Sequence, residues 1–200
     1  LNSVVVNDIT VVVGYKSSKF TKLLGRKINY AYNKKFSTTA NLYSLWCAIP
    51  KINGDCIVSM GDSIFHPSII IRLLNSKKYI ITAVDNNKNL DEEAFKAKVK
   101  DNYLLDVGRK INLKEASGEF LALTKFSTKG IRIMINIISQ LIKRGFYDKT
   151  TAFLLKEISK TNKVCVENIN GLPWIEIDTK EDLKKAKKVI LPKILSYKNE

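Results

Sequence analysis

Two aspartates stand where an acid could do chemistry. The apolar stretch from Asp55 to Phe65, Asp-Cys-Ile-Val-Ser-Met-Gly-Asp-Ser-Ile-Phe, reads as a buried strand that ends abruptly in Gly61-Asp62, and Pro173-Trp-Ile-Glu-Ile-Asp178 repeats the construction near the end of the chain. A strand this apolar is normally covered on both faces, and open α/β sheets place their ligand crevice at the carboxyl ends of such strands. Paired carboxylates without His or Cys beside them are hard oxygen donors suited to Mg²⁺, which usually completes its shell with water and substrate phosphates. The chemistry this permits is phosphoryl or nucleotidyl transfer. By spacing alone, though, an acid between a strand and a helix is most often a cap.

The elements that must position these acids alternate in type. Ile9–Val13 is a β-branched run ended by Gly14-Tyr15, the pattern of a parallel strand; a helix to Leu24 and a short strand over Lys27–Tyr32 follow. Thr38 or Thr39 can cap a helix from Asn41 to Ile49, with Leu42, Leu45, Trp46 and Ile49 on its core face. Pro67 suits the first turn of a helix to Leu74, and Lys78–Val84 is a further buried strand closing on Asp85. Between Asp91 and Lys110, Phe95, Ala97 and Val99 alternate with lysines, which predicts half-exposed antiparallel strands. Gly118–Leu123 is a strand, Ser127–Arg144 an amphipathic helix stopped by Gly145, and Thr150–Ser159 another helix. Val164–Ile169 and Trp174–Asp178 are the last strands, and the final helix opens with Thr179 and Asp182 in capping-box spacing. His66 and Trp174 read as structural. The pattern predicts one α/β domain over residues 1–200, with a Rossmann-like mixed, mainly parallel sheet and helices on both faces.

Composition narrows the function. With 45% hydrophobic residues the 200-residue chain can bury a substantial core, and none of its apolar stretches approaches the roughly 20 residues that span a bilayer. Cys47, Cys56 and Cys165 are odd in number and lack CxxC spacing, which points away from a disulfide framework or zinc and toward a reduced, cytoplasmic setting. The net charge of +15 invites a nucleic-acid reading, but the charge is spread: seven lysines face three acids from Thr179 to Glu200, and the remaining excess is distributed over the rest of the chain. That pattern reads as a solvated basic surface, not a nucleic-acid interface.

Five motifs in order carry a resemblance. Val11-Val-Val-Gly-Tyr-Lys16, Thr39-Ala-Asn-Leu-Tyr-Ser-Leu45, Gly61-Asp-Ser-Ile-Phe65, Gly118-Glu-Phe120 and Glu176-Ile-Asp-Thr-Lys-Glu-Asp-Leu183 resemble the nucleotidyltransferases that activate sugar phosphates, phosphocholine and phosphonates, most closely the choline-phosphate and phosphonate cytidylyltransferase branch. The resemblance implies the nucleotide-diphospho-sugar transferase fold and Mg²⁺-dependent transfer of CMP from CTP to a phosphocholine- or phosphonate-type acceptor. It implies that Asp62 and Asp178 hold the metal. Asn41, Ser44 and Gly61 would then shape the nucleotide side, and Glu119, Glu176 and the aromatic-acidic pair Tyr147-Asp148 the acceptor side.

The sequence also departs from that family. Its members begin with a strand, a glycine-rich loop carrying a basic residue and a Pro-Lys segment, which together wrap the triphosphate. This chain shows none of these, so the expectation is a sheet lacking the first strand and loop, and a chain inactive alone. Two alternatives stay open: a sugar-1-phosphate uridylyl- or thymidylyltransferase, and a non-catalytic remnant that binds nucleotide or a protein partner.

Overall fold

Strands form where β-branched runs occur and helices where apolar residues recur every three or four positions. The computed structural model describes Val6, residues 8–87 and residues 90–196. The first half of the chain contains β1 (Thr10–Val13), α1 (Ser17–Leu24), β2 (Asn29–Tyr32), α2 (Asn41–Ala48), β3 (Cys56–Val58), β4 (Ser63–Phe65), α3 (Pro67–Asn75) and β5 (Ile80–Asp85). The second half contains β6 (Lys96–Lys100), β7 (Tyr103–Gly108), β8 (Gly118–Phe126), α4 (Thr128–Lys143), α5 (Thr151–Ser159), β9 (Cys165–Asn168), β10 (Trp174–Glu176), α6 (Lys180–Lys185) and α7 (Leu191–Ser196).

Six strands form one sheet in the order β3-β8-β5-β9-β7-β6, and β6 pairs with β8 as well. All six residues of β5 are buried. Ile80 and Val84 join a core with α2, α4 and α5, while Ile81 and Ala83 join a second core with α3, Leu121 and Leu123. That alternation is the period-two geometry of a strand covered on both faces, and it puts helices on both sides of the sheet. The fold is mixed α/β, as expected. Its parallel pairs are β1–β2 and β5–β9, and the other described pairings are antiparallel. The antiparallel share exceeds the expectation because β8 inserts against the sequence direction between β3 and β5, and β6–β7 is a hairpin.

The helix ends follow local chemistry. Ser127 caps α4 through a bond from Gly130 N at 3.2 Å, Thr150 caps α5, and the Thr179–Asp182 capping box opens α6. His66, buried, accepts from Ser68 N through Nδ1 at 3.2 Å and so caps α3. α2 differs from its expected start. Its N-cap is Ala40, without a side-chain cap bond, because Thr39 instead donates to Lys35 O at 2.8 Å and accepts from the buried Asn33 at 3.0 Å. The final helix is interrupted by a π-helical turn over Ala186–Ile190.

Two further expectations are corrected. The stretch Asp55–Phe65 is not one buried strand: a turn at Gly61-Asp62 splits it into half-buried β3, at the sheet edge against β8, and β4, which leaves that sheet to pair with β10. Lys96, expected among the lysines that alternate with apolar residues on a half-exposed strand, is fully buried, with its ammonium donating to the carbonyls of Asp91 and Glu92 at 3.2 and 2.9 Å.

Candidate active site

The two-stranded pair β4–β10 builds the site. It runs antiparallel with Ser63 opposite Glu176, Ile64 opposite Ile175 and Phe65 opposite Trp174. The ladder continues past the strand ends, where Ile177 N donates to Asp62 O at 2.9 Å and His66 N to Pro173 O at 3.0 Å. Asp62 is thereby locked beside the segment that carries Glu176 and Asp178. Buried Trp174 anchors this segment through its indole N–H, which donates to the buried carboxylate of Asp85 at 2.8 Å. The capping box consumes Asp182, whose Oδ2 accepts from Thr179 N and Oγ1 at 2.9 and 2.7 Å, and so fixes the chain just after Asp178.

Asp62, Glu176 and Asp178 each offer a carboxylate oxygen, and the three oxygens lie within 4.8 Å of one another. Oδ1 of Asp62 is shielded and has no hydrogen-bond partner. Burial pushes the Glu176 carboxyl above its ordinary range, the carboxylates of Asp62, Asp178 and Glu119 push it further, and the Arg109 guanidinium draws it back. Four acids and one cation thus share a single electrostatic neighbourhood.

Glu119 arrives from the large sheet. Gly118 lets β8 begin tight against β5: a Cβ there would lie 2.6 Å from Asp85 O. Ala122 lies at φ 53° where the β5–β8 register shifts, a bulge that bends the first half of β8. In the ladder Glu119 sits opposite Asp85 on one side and Lys96 on the other, and Lys96 is in turn opposite Gly108. Arg109 follows directly.

The remaining residues of the resemblance form a second group around the start of α2. Asn41 accepts from Thr151 N at 2.7 Å, tying α2 to α5, and its amide reaches Met60 S at 3.4 Å, two residues before Asp62. Ser44 accepts from Asn33 at 3.1 Å. Tyr147 takes Ala40 N on its carbonyl at 2.9 Å and packs edge-on against Tyr43, with ring centroids 5.6 Å apart and the Lys35 ammonium 5.8 Å from each ring. Exposed Asp148 pairs with Lys149 at 2.9 Å. The structure therefore brings together Asp62, Glu119, Glu176 and Asp178, and sets Asn41, Ser44, Tyr147 and Asp148 in a neighbouring cluster. Gly61, next to Asp62, has open space where a Cβ would stand.

The comparisons fit this geometry. No protein-family model matches the chain. It is 26% identical over 209 residues to the CTP:phosphoglutamine cytidylyltransferase of Campylobacter jejuni, covering 92% of this chain and 82% of that protein. Among solved structures it superposes on the inositol-1-phosphate CTP transferase of T. maritima with a TM-score of 0.76 at 22% identity, over 98% of this chain and 80% of that one. These likenesses are to nucleotidyltransferases, the family that the five motifs resemble. Two more likenesses agree. The bifunctional IPC transferase and DIPP synthase of Aquifex aeolicus is 24% identical over 196 residues, which is 96% of this chain but only 42% of that protein. The phosphocholine cytidylyltransferase of Streptococcus pneumoniae shares the fold, with a TM-score of 0.74 at 20% identity over 94% of this chain and 81% of that one. Among the described residues no helix is long and apolar enough to cross a membrane.

Sequence reasoning missed Arg109. Its signal was faint: a cation just after Gly108 at the end of an alternating strand. The three cysteines, expected to form no disulfide, are free, and burial with the charge of Asp55 pushes the Cys56 thiol up to about 11. A thiol so far from ionising is packing, not a nucleophile.

Proposed function

We propose that this nucleotidyltransferase transfers CMP from CTP to a phosphorylated or phosphonate acceptor bearing a cationic head group, with Mg²⁺ as its metal and pyrophosphate as the leaving group. The observation that carries the reading is the convergence of Asp62, Glu176 and Asp178, whose oxygens lie within 4.8 Å of one another. Octahedral Mg²⁺ with bonds of about 2.1 Å needs neighbouring oxygens about 3 Å apart and opposite ones about 4 Å apart, so these acids fit it after small side-chain rotations. The orphaned Oδ1 of Asp62 supports the same assignment. Asp62 and Asp178 would hold the ion with Glu176 at its rim, and when bound it would neutralise charge on the reacting phosphate.

The acids are not needed as general bases. A phosphate monoester, with its second pKa near about 6, already presents an ionised oxygen at neutral pH. That oxygen forms the new bond to the α-phosphorus of CTP, and the bond to the bridging oxygen breaks, leaving its electron pair on pyrophosphate. The protein's work is alignment. Arg109, the cation that acts on Glu176, would meet the acceptor's phosphate. Asn41, Ser44 and Gly61 line the nucleotide side. The phosphocholine cytidylyltransferase whose fold this chain shares takes an acceptor with a quaternary ammonium head group, and the same class of acceptor is proposed here.

The test is competition among phosphocholine, 2-aminoethylphosphonate, inositol-1-phosphate and glucose-1-phosphate with CTP and Mg²⁺, read as pyrophosphate release and, independently, as CTP binding by calorimetry. Preference for the cationic acceptors is expected. Preference for glucose-1-phosphate, or turnover of that sugar with UTP or dTTP supplied in place of CTP, would overturn the reading.

A further inference from the structure

The guanidinium carbon of Arg109 lies 4.7 Å from the ring centroid of Phe95. Arg109 itself is exposed, so nothing in its own burial would hold the long side chain in one place. Phe95 is held. Its ring packs against the larger core, and its carbonyl accepts from Phe120 N at 2.8 Å, one residue after Glu119. The loop before it is tied down twice. Asp91 Oδ1 accepts from Glu93 N and Ala94 N at 3.0 and 2.9 Å, and the buried ammonium of Lys96 binds the carbonyls of Asp91 and Glu92 at 3.2 and 2.9 Å.

A buried lysine without a carboxylate is costly to keep, and replacing it by an apolar chain is often neutral or stabilising. Its presence is accounted for by the loop it clasps. That loop ends in Phe95, one residue from the Lys96 position that lies opposite both Glu119 and Gly108. The ring therefore stands at a fixed distance from the strand ends that frame the acid site.

We infer that Phe95 is a positioning residue, with its ring, anchored through the Lys96-clasped loop, holding the planar guanidinium of Arg109 ready for bidentate contact with a phosphate or phosphonate dianion. A guanidinium stacks flat on an aromatic face while its N–H edges stay free for tetrahedral oxygens, and an ammonium cannot do both. Ordering the side chain before the acceptor arrives removes an entropy cost from binding. The inference rests on the proposed phosphate role of Arg109.

The experiment separates the two. In the protein without ligands, the Nε–H proton of Arg109, assigned by its loss in Arg109→Lys, is expected to be displaced upfield by the ring current, to stay so in Phe95→Tyr, and to return to the ordinary arginine region in Phe95→Leu. With CTP, Mg²⁺ and phosphocholine as probe, Phe95→Leu is expected to raise the phosphocholine KM about two- to five-fold, leaving kcat and the CTP KM unchanged, and Phe95→Tyr to restore it. If Arg109→Ala leaves phosphocholine binding intact, the phosphate role fails. If Arg109→Ala weakens it and Phe95→Leu does not, the inference alone is overturned. Should Phe95→Leu not fold, an undisplaced Nε–H in the wild-type protein overturns it by itself.

Discussion

Removing one acid from the cluster should have opposite effects with and without metal. In the metal-free protein, two carboxylates whose oxygens lie within 4.8 Å of each other repel by at least about 0.9 kcal/mol at the dielectric of water, and more where the site is drier. Asp62→Asn abolishes two of the three such pairs, and Oδ1 of Asp62 has no hydrogen bond to lose. The variant should gain about 1–2 kcal/mol, a melting temperature about 3–7 °C higher for a chain of this size. Magnesium reverses the order. At ten times its Kd an ion stabilises by about 1.4 kcal/mol, or about 3–6 °C. A variant lacking one ligand should bind at least about ten-fold more weakly, leaving about 0.4 kcal/mol at the same concentration. Thermal melts of wild type, Asp62→Asn, Asp178→Asn and the double variant over a magnesium series are the assay, with Asp148→Asn as control, because its carboxylate is paired with Lys149 outside the cluster. The two single variants should be alike and their effects non-additive. An equal magnesium shift in wild type and Asp62→Asn, or a metal-free variant that melts lower, would refute the reasoning.

Other perturbations test the frame around the site. Because the folded protein raises Glu176 above its ordinary 4.5, its contribution to stability is fully present below that value and lost as pH rises through the folded one; metal-free Glu176→Gln should therefore melt above wild type at neutral pH, with the gap closing toward about pH 4. Gly118→Ala drives a Cβ to 2.6 Å from Asp85 O, so urea denaturation should show a loss of about 1–3 kcal/mol, and a neutral result would mean that β8 can shift. Tyr147→Ala removes the edge-on partner of Tyr43, a contact worth about 0.5–1.5 kcal/mol, from the side expected to meet the acceptor, so the phosphocholine KM should rise about two- to ten-fold with little change for CTP; the reverse pattern would put Tyr147 on the nucleotide side.

Much of the molecule was legible from local pattern. The β-branched run at Ile80–Val84 had to be a doubly covered strand, and the spacing of Ile131, Met134, Ile138 and Leu141 had to be the buried face of α4. Thr179 and Asp182 announced their capping box, because a cap is decided within four residues. Asp62 and Asp178 could be singled out as acids following apolar strands. What local pattern could not supply is which strand ends meet. Asp62 was expected to share a site with Asp178 as the end of one buried strand; in the fold it occupies a turn, and the antiparallel β4–β10 ladder, across more than a hundred residues, sets it beside Glu176 and Asp178. The same holds for Arg109, Glu119 and Lys96, whose proximity follows from the β6–β7 and β6–β8 registers. It holds equally for Tyr147, which the turn after α4 delivers to α2. Helix faces and caps are short-range quantities written into adjacent residues, whereas the register of distant strands is chosen by how the whole core closes, and in this protein the site is built from registers.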